Sequence, residues 1–162
     1  PFQFVQGGGA PVGLSATRCA GDRLPKGVVW TTEVGVVLLS SGVVAALSGG
    51  ELSGWQTSPC TLHGSGSSWS YNLLGVTGRC GHIRYGAGHV IERINGFTKR
   101  RGIKFEHPPP NTFDLFLSES GYRAIFATSR AKAIFDQVAP GTILWEPLSE
   151  AAYFEPSGPL SG

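Results

Sequence analysis

Apolar residues fall in short dense runs along this chain, and two of those runs lead into the same order of elements. Between Arg123 and Pro147, the run Ala124, Ile125, Phe126, Ala127 predicts a buried strand. The hydroxyl pair Thr128 and Ser129 follows, where a side-chain oxygen can accept an orphan N–H of a helix's first turn. Ala131, Ile134, Phe135 and Val138 then recur at steps of three and four, which is one face of a short helix, and Pro140 with Gly141 ends it. A second run, Ile143 to Trp145, predicts another strand closed by Pro147. The same order is found from Val36 to Pro59: without a gap, Ser40 falls on Thr128, Ser41 on Ser129, Ala45 on Ala133, Leu47 on Phe135 and Pro59 on Pro147. The offset is constant, since 128 − 40 = 88 and 147 − 59 = 88. The pattern predicts a two-copy pseudo-repeat, with units at 34–62 and 122–148 and a period too long for a solenoid.

Between the two units the period changes to two. Trp55, Thr57 and Pro59 alternate along the strand after the first helix and predict one buried face. His63 to Ser68 is a turn or exposed loop by composition. Trp69, Tyr71 and Leu73 then alternate with Ser70, Asn72 and Leu74 as a half-buried strand, which Val76 to Arg84 is expected to continue or to pair with across Gly78. His89 to Ile94 alternates again and runs into Asn95-Gly96, the strongest short hairpin signal because both turn positions need positive φ. The returning strand starts at Phe97, carries Lys99, Arg100 and Arg101, and is expected to reach Ile103 and Phe105. Residues 1–27 read as an irregular arm rich in glycine and proline, Pro108 to Pro110 as a stiff connector, and 149–162 as a flexible tail that Tyr153 and Phe154 anchor at its start. The expected fold is α+β: a domain over 28–148 in which two strand-helix-strand units flank a central antiparallel region.

Composition narrows the function classes. Charged residues are 15% of the 162 and glycines number 24, so strands and loops are favoured over long helices. A net charge of +2 lacks the basic excess of a dedicated nucleic-acid binder, so nucleic acid is not the expected partner. No run of 18 apolar residues occurs, so no membrane-spanning helix is expected. The chain begins at Pro1 and contains no Met, and the expectation is that its natural start lies further upstream. Cys19, Cys60 and Cys80 are odd in number and widely spaced, with no CxxC pair; reduced, partly buried thiols are expected, with one disulfide as the alternative in an exported protein.

Candidate chemistry rests on few residues. His82, His89 and His107 with Glu92 and Glu106 would make a metal or acid-base site if the hairpin brought them together; no HxH or HExxH spacing places them on a shared face. The alternative catalytic set is therefore His89, His107, Glu92 and Glu106. Ser129 lacks the GxSxG elbow of a hydrolase nucleophile and is explained by helix capping. Lys99, Arg100 and Arg101, extended by Lys104, form a basic cluster suited to phosphate or an acidic partner, with a solvated hairpin end as the alternative reading. Trp69 and Tyr71, with Trp55, are the aromatic anchors such a surface would use if exposed.

The closing unit also carries a resemblance. Asp114-Leu115-Phe116, Ala127-Thr128-Ser129-Arg130 and Trp145-Glu146-Pro147-Leu148 resemble the closing module of immunity proteins encoded beside bacterial polymorphic toxins, the group numbered eleven, and of the related myxobacterial proteins named for a double CxxCG motif. Tyr71 to Gly78 resembles the strand that follows the first such module. The chain departs from that pattern at Gly42 and at Ser129-Arg130, where an acidic residue follows the helix-starting hydroxyl in family members, and at Gly75, where an asparagine is expected. Neither CxxCG is present, Cys80-Gly81 being the end of one, so no metal and no cofactor is expected. The resemblance implies a cytoplasmic protein that binds and neutralises one cognate toxin by stoichiometric contact, without catalytic residues. The residues leave two other readings open: an enzyme or effector domain using the His/Glu set, and a structural module of a larger assembly.

Overall fold

The structure, a computed structural model, describes residues 14–17, 27–31, 36–64, 66–94, 96–107, 112–119 and 124–156. Expectations for most of the N-terminal arm, the proline connector, Cys19 and residues 157–162 lie outside the described residues. The fold is α+β and mostly sheet.

Five strands form the main sheet, in the order β1-β4-β5-β3-β2: β1 Leu14–Thr17, β2 Val28–Trp30, β3 Val37–Leu39, β4 Trp55–Gly64 and β5 Ser67–Val76. β1 runs parallel to β4, and the other pairings are antiparallel. Leu14–Thr17 is therefore a strand where an irregular arm is expected; its scattered apolar residues carry no periodicity because the ladder to Cys60–His63 supplies the order. β4 and β5 make one long hairpin closing at Gly64 and Ser67, with His63 Nδ1 2.8 Å from Ser68 Oγ, so the HGSGSS stretch is the end of this hairpin.

The sheet is covered on both faces, which explains why β3 reads as an unbroken apolar run. Val37 and Leu39 point into the main core with Val28, Leu74 and Val76, while Leu38 joins Cys60, Leu62, Tyr71 and Leu73 on the reverse side. On β4 the buried residues are Ser58, Cys60 and Leu62, the face opposite to the one predicted from Trp55, Thr57 and Pro59. Pro59 is exposed, and Trp55 keeps its indole N–H on the carbonyl of Leu52 at 2.8 Å.

Both helices among the described residues start where the hydroxyl pairs place them. α1 (Ser41–Gly49) is capped by Ser40, whose side chain accepts from Val43 N–H; α2 (Ser129–Val138) is capped by Thr128, which accepts from Ala131 N–H. Caps and buried residues repeat at the 88-residue offset: Ser40 and Thr128, Val43 and Ala131, Leu47 and Phe135. The two helices pack side by side over the main core, where Arg130 donates to the carbonyl of Gly50.

The equivalence ends at the helix C-termini. After α1 the chain enters β4, but after α2 the stretch Ile143–Trp145 has no ladder partner among the described residues and is not a strand. It lies back on α2 instead: Trp145 Nε1 donates to Asp136 Oδ1 at 2.8 Å, its ring tilts against Phe135, and Leu144 points out at 97% exposure. Strand-like alternation here marks a loop pinned at every second residue.

Among the described residues there are two further sheets. β6 (Gly78–Cys80), β9 (Leu115–Ser118) and β10 (Phe126–Ala127) assemble in the order β10-β9-β6, with β6 parallel to β9. The segment after β5 thus turns away to a distant strand instead of continuing or pairing with it. Gly78 allows this, because a Cβ there would lie 2.1 Å from the Leu115 carbonyl oxygen; Gly54, at φ +83°, meets the same atom. The third sheet, β11-β8-β7, joins β7 (His89–Ile94), β8 (Phe97–Arg101) and β11 (Ala152–Pro156). β7 and β8 pair as the predicted hairpin, with Ile94 opposite Phe97, but the returning strand stops at Arg101 before Gly102 (φ +91°), and Phe105 makes an isolated bridge to Ile83. Residues 152–156, expected as part of a flexible tail, are a strand paired along the length of β8. Tyr153 is buried with Ile83, Ile103, Phe116 and Phe126, which fixes this strand where local composition predicts none.

Cys60 and Cys80 are free and buried, and burial pushes both thiols above their ordinary range. A hydrogen bond at Cys80 partly opposes that shift.

Candidate functional site

The third sheet is built from the most polar part of the chain, and its two faces have different characters. Directly paired residues share a face, so Phe97, Lys99 and Arg101 of β8 stand with Phe154 of β11 and with His89, Glu92 and Ile94 of β7. Arg100 and Thr98 stand on the other face with Tyr153, Glu155, Val90 and Arg93. Thr98 and Tyr153 are buried, so this second face packs inward.

The inward face is held by polar bonds. Arg100 donates through Nε to Glu155 and through Nη1 to the Gly88 carbonyl at 2.9 Å; Glu155 also accepts from Gly86 N–H at 2.7 Å. Gly88 N–H reaches the Tyr153 hydroxyl at 3.4 Å, and Tyr85 packs edge-on against the Tyr153 ring. These contacts clamp the 85–88 turn to β8 and β11. Arg100, part of the expected basic binding cluster, is therefore committed to the fold, with 19% of its side chain exposed. The alternation of the strand turned it inward, which a run of three basic residues conceals.

The outward face retains Lys99 and Arg101. Lys99 Nζ sits 5.7 Å from the centre of the Phe154 ring, and Arg101 lies 3.7 Å from Glu150 with both side chains more than half exposed. Phe97 and Phe154 are 51% and 57% exposed and, with exposed Ile94, form an apolar patch beside those charges. Such a patch of aromatic rings next to cations has the character of a protein-contact surface. Lys104 is exposed beyond the end of β8, outside this sheet.

Trp69 and Tyr71 do not belong to an exposed site. Tyr71 is 5% exposed in the core on the reverse side of the main sheet, and Trp69 packs half-buried against the same cluster. Among the described residues the exposed aromatics are Phe97 and Phe154, with Trp30 and Tyr85 elsewhere. Phe97 was signalled in the sequence by its two-residue spacing to Lys99 and Arg101 on one strand, visible once the hairpin register was set at Asn95-Gly96; Phe154 had no such signal, because its stretch reads as tail.

His89, Glu92, Glu106 and His107 are all exposed. Among the described residues, no group of three His, Cys, Asp or Glu side chains is placed to hold a metal. His82 lies 3.8 Å from Glu119, with both exposed. A cavity of about 530 Å³ opens between α2, β2, β3 and residues 143–148, and none of these four side chains lines it. Its walls are mainly apolar, including Val28, Leu39, Phe135 and Ile143. Lys132 on its rim is engaged by Asp136 and lies over the Trp145 ring. Ser129, at the start of α2, is exposed; the cap is Thr128.

Compared with models of known protein families and with curated proteins, the chain matches none. Among the described residues no helix is long and apolar enough to cross a membrane.

Proposed function

We propose that this chain is an immunity-type binding protein, which neutralises a bacterial toxin by stoichiometric contact through the outward face of β7, β8 and β11. The observation that carries the reading is the pairing of exposed Phe97, Phe154 and Ile94 with Lys99 and Arg101 on one sheet face. Desolvated aromatic anchors beside cations supply the few residues that dominate a typical interface. Holding such residues on a clamped sheet lowers the ordering cost of binding. The resemblance of the closing module and of Tyr71 to Gly78 to toxin-immunity proteins supports the choice of partner, and action in the cytoplasm is part of the same reading. Lys99 and Arg101, set among Glu92 and Glu150, give the face a mixed pattern of charge that would match a complementary pattern on the toxin, and the charges act mainly on association rate and specificity.

Co-expression with the products of adjacent genes tests the reading. The expected result is a complex that survives purification and a neighbour whose toxicity this chain suppresses. Phe97→Ala and Lys99→Glu should each weaken that complex about tenfold or more, whereas Lys104→Glu, off the face, should not. Harmless neighbours that form no complex would refute it.

A further inference from the structure

β7 stands at the free edge of its sheet. It pairs with β8 on one side, every residue from His89 to Ile94 is exposed, and among the described residues no strand lies on its other side. Ile94 and Phe97 face each other across a two-residue turn, so their backbone groups bond to one another. Glu92 opposite Lys99 is bonded in the same way, two residues along. The N–H and C=O of Arg93, between them, point out of the sheet. Beyond Glu92 the ladder shifts by one residue, which gives a bulge between Val90 and Glu92.

We propose that β7 accepts an extended strand of a partner protein, added antiparallel at Arg93. The inference deepens the binding role proposed above, since an added strand would lie beside the face carrying Phe97 and Lys99. The charges on the edge specify the occupant. A second copy of this chain is disfavoured: an antiparallel self-pairing that brings outward backbone groups together sets Arg93 against Arg93, or Glu92 against Glu92, and like charges directly opposite repel. The bulge further disrupts registers centred near Ile91. The fitting strand has an acidic residue opposite Arg93, a basic one opposite Glu92 and an apolar one opposite Ile94. Read from its own N-terminus, that is apolar, acidic, basic. Main-chain bonds supply the affinity and these three positions the selectivity.

The test uses the whole chain and a synthetic ten-residue peptide of alternating threonine and valine with valine-glutamate-lysine at its centre. Amide exchange and shift changes are followed by NMR as peptide is added. Binding at or below about 1 mM peptide, with the Arg93 amide exchanging about tenfold more slowly, is expected. The same peptide N-methylated at the glutamate amide should not bind. Arg93→Pro, which removes only an outward N–H and leaves the bonds to β8, should abolish binding, while Arg93→Gln should weaken it only several-fold. Unchanged thermal unfolding of both variants separates this from misfolding. Absence of any shift at β7 up to that concentration, or binding that survives N-methylation, would overturn the proposal. No toxin takes part, so failure here leaves the toxin-binding test to be decided by its own outcome.

Discussion

Asp114 offers the sharpest test of how the two repeat-like units are joined. Its carboxylate is mostly buried, with 12% side-chain exposure, at the start of β9. Oδ1 accepts from the Thr128 hydroxyl at 2.9 Å, and Oδ2 accepts from Ser53 N–H at 3.1 Å. The Ser53 hydroxyl lies 3.3 Å from the same oxygen and 2.6 Å from the Thr112 carbonyl, so its one proton is shared between them. Thr128 in turn accepts from Ala131 N–H at 3.3 Å, so one carboxylate orients the cap of α2 and secures the connection after α1. Asp114→Ala removes two hydrogen bonds to a charged acceptor, each about 1.5 kcal/mol at the low end of the usual range, and a loss of about 3 kcal/mol follows. Thr128→Ala loses both the cap, about 1 kcal/mol, and the hydrogen bond to Asp114, about 1.5 kcal/mol, and should cost about 2.5 kcal/mol. Because Thr128 and Asp114 share a bond, the double variant should be less destabilised than the sum of the singles, by about 1.5 kcal/mol. Urea unfolding of the four proteins of this cycle measures each term. A loss below about 1 kcal/mol for Asp114→Ala, or strict additivity with Thr128→Ala, would refute the argument that this carboxylate ties the units together.

Three further outcomes are expected. Arg100→Ala strands Glu155 and frees the Gly88 carbonyl, and should lower stability by about 2 kcal/mol in urea, whereas Lys99→Ala and Arg101→Ala on the outward face should stay within about 0.5 kcal/mol; equal losses at all three would contradict the division of the sheet into two faces. In a Cys19→Ser background, Cys60 and Cys80 should react slowly with a thiol-specific disulfide reagent in the native protein and promptly in denaturant, since burial raises both thiols and leaves little thiolate; fast native labelling would contradict their burial. The hydrogen bond from Lys132, and then that from Trp145, hold Asp136 below its ordinary value of 3.8. A lowered carboxylate contributes its interaction above the unfolded value and loses it as pH falls through the folded one, so Trp145 fluorescence should change in that acid range and Asp136→Asn should remove the transition.

Local chemistry in the chain determined more of this protein than its irregular composition suggests. Ser40 and Thr128 announced both helix starts because a cap needs only its own hydroxyl and the N–H three residues on. Asn95-Gly96 announced the hairpin, and alternation from Trp69 to Leu73 announced a strand, for the same reason of short range. What tertiary contact decided was hidden. Ile143–Trp145 has strand periodicity, yet Asp136 and Phe135 hold it against α2. Residues 152–156 read as tail, yet Tyr153 finds the core and β8 offers a ladder 51 residues away in sequence at Arg101 and Ala152. Parallel pairing of β6 with β9 depends on a close backbone approach at Gly78 that no spacing encodes. The candidate face was half legible: the basic run was visible, but which of its members point outward depended on strand register and on Glu155 capturing Arg100. Side-chain alternation is written in the sequence, whereas the choice of face belongs to whatever packs against the strand.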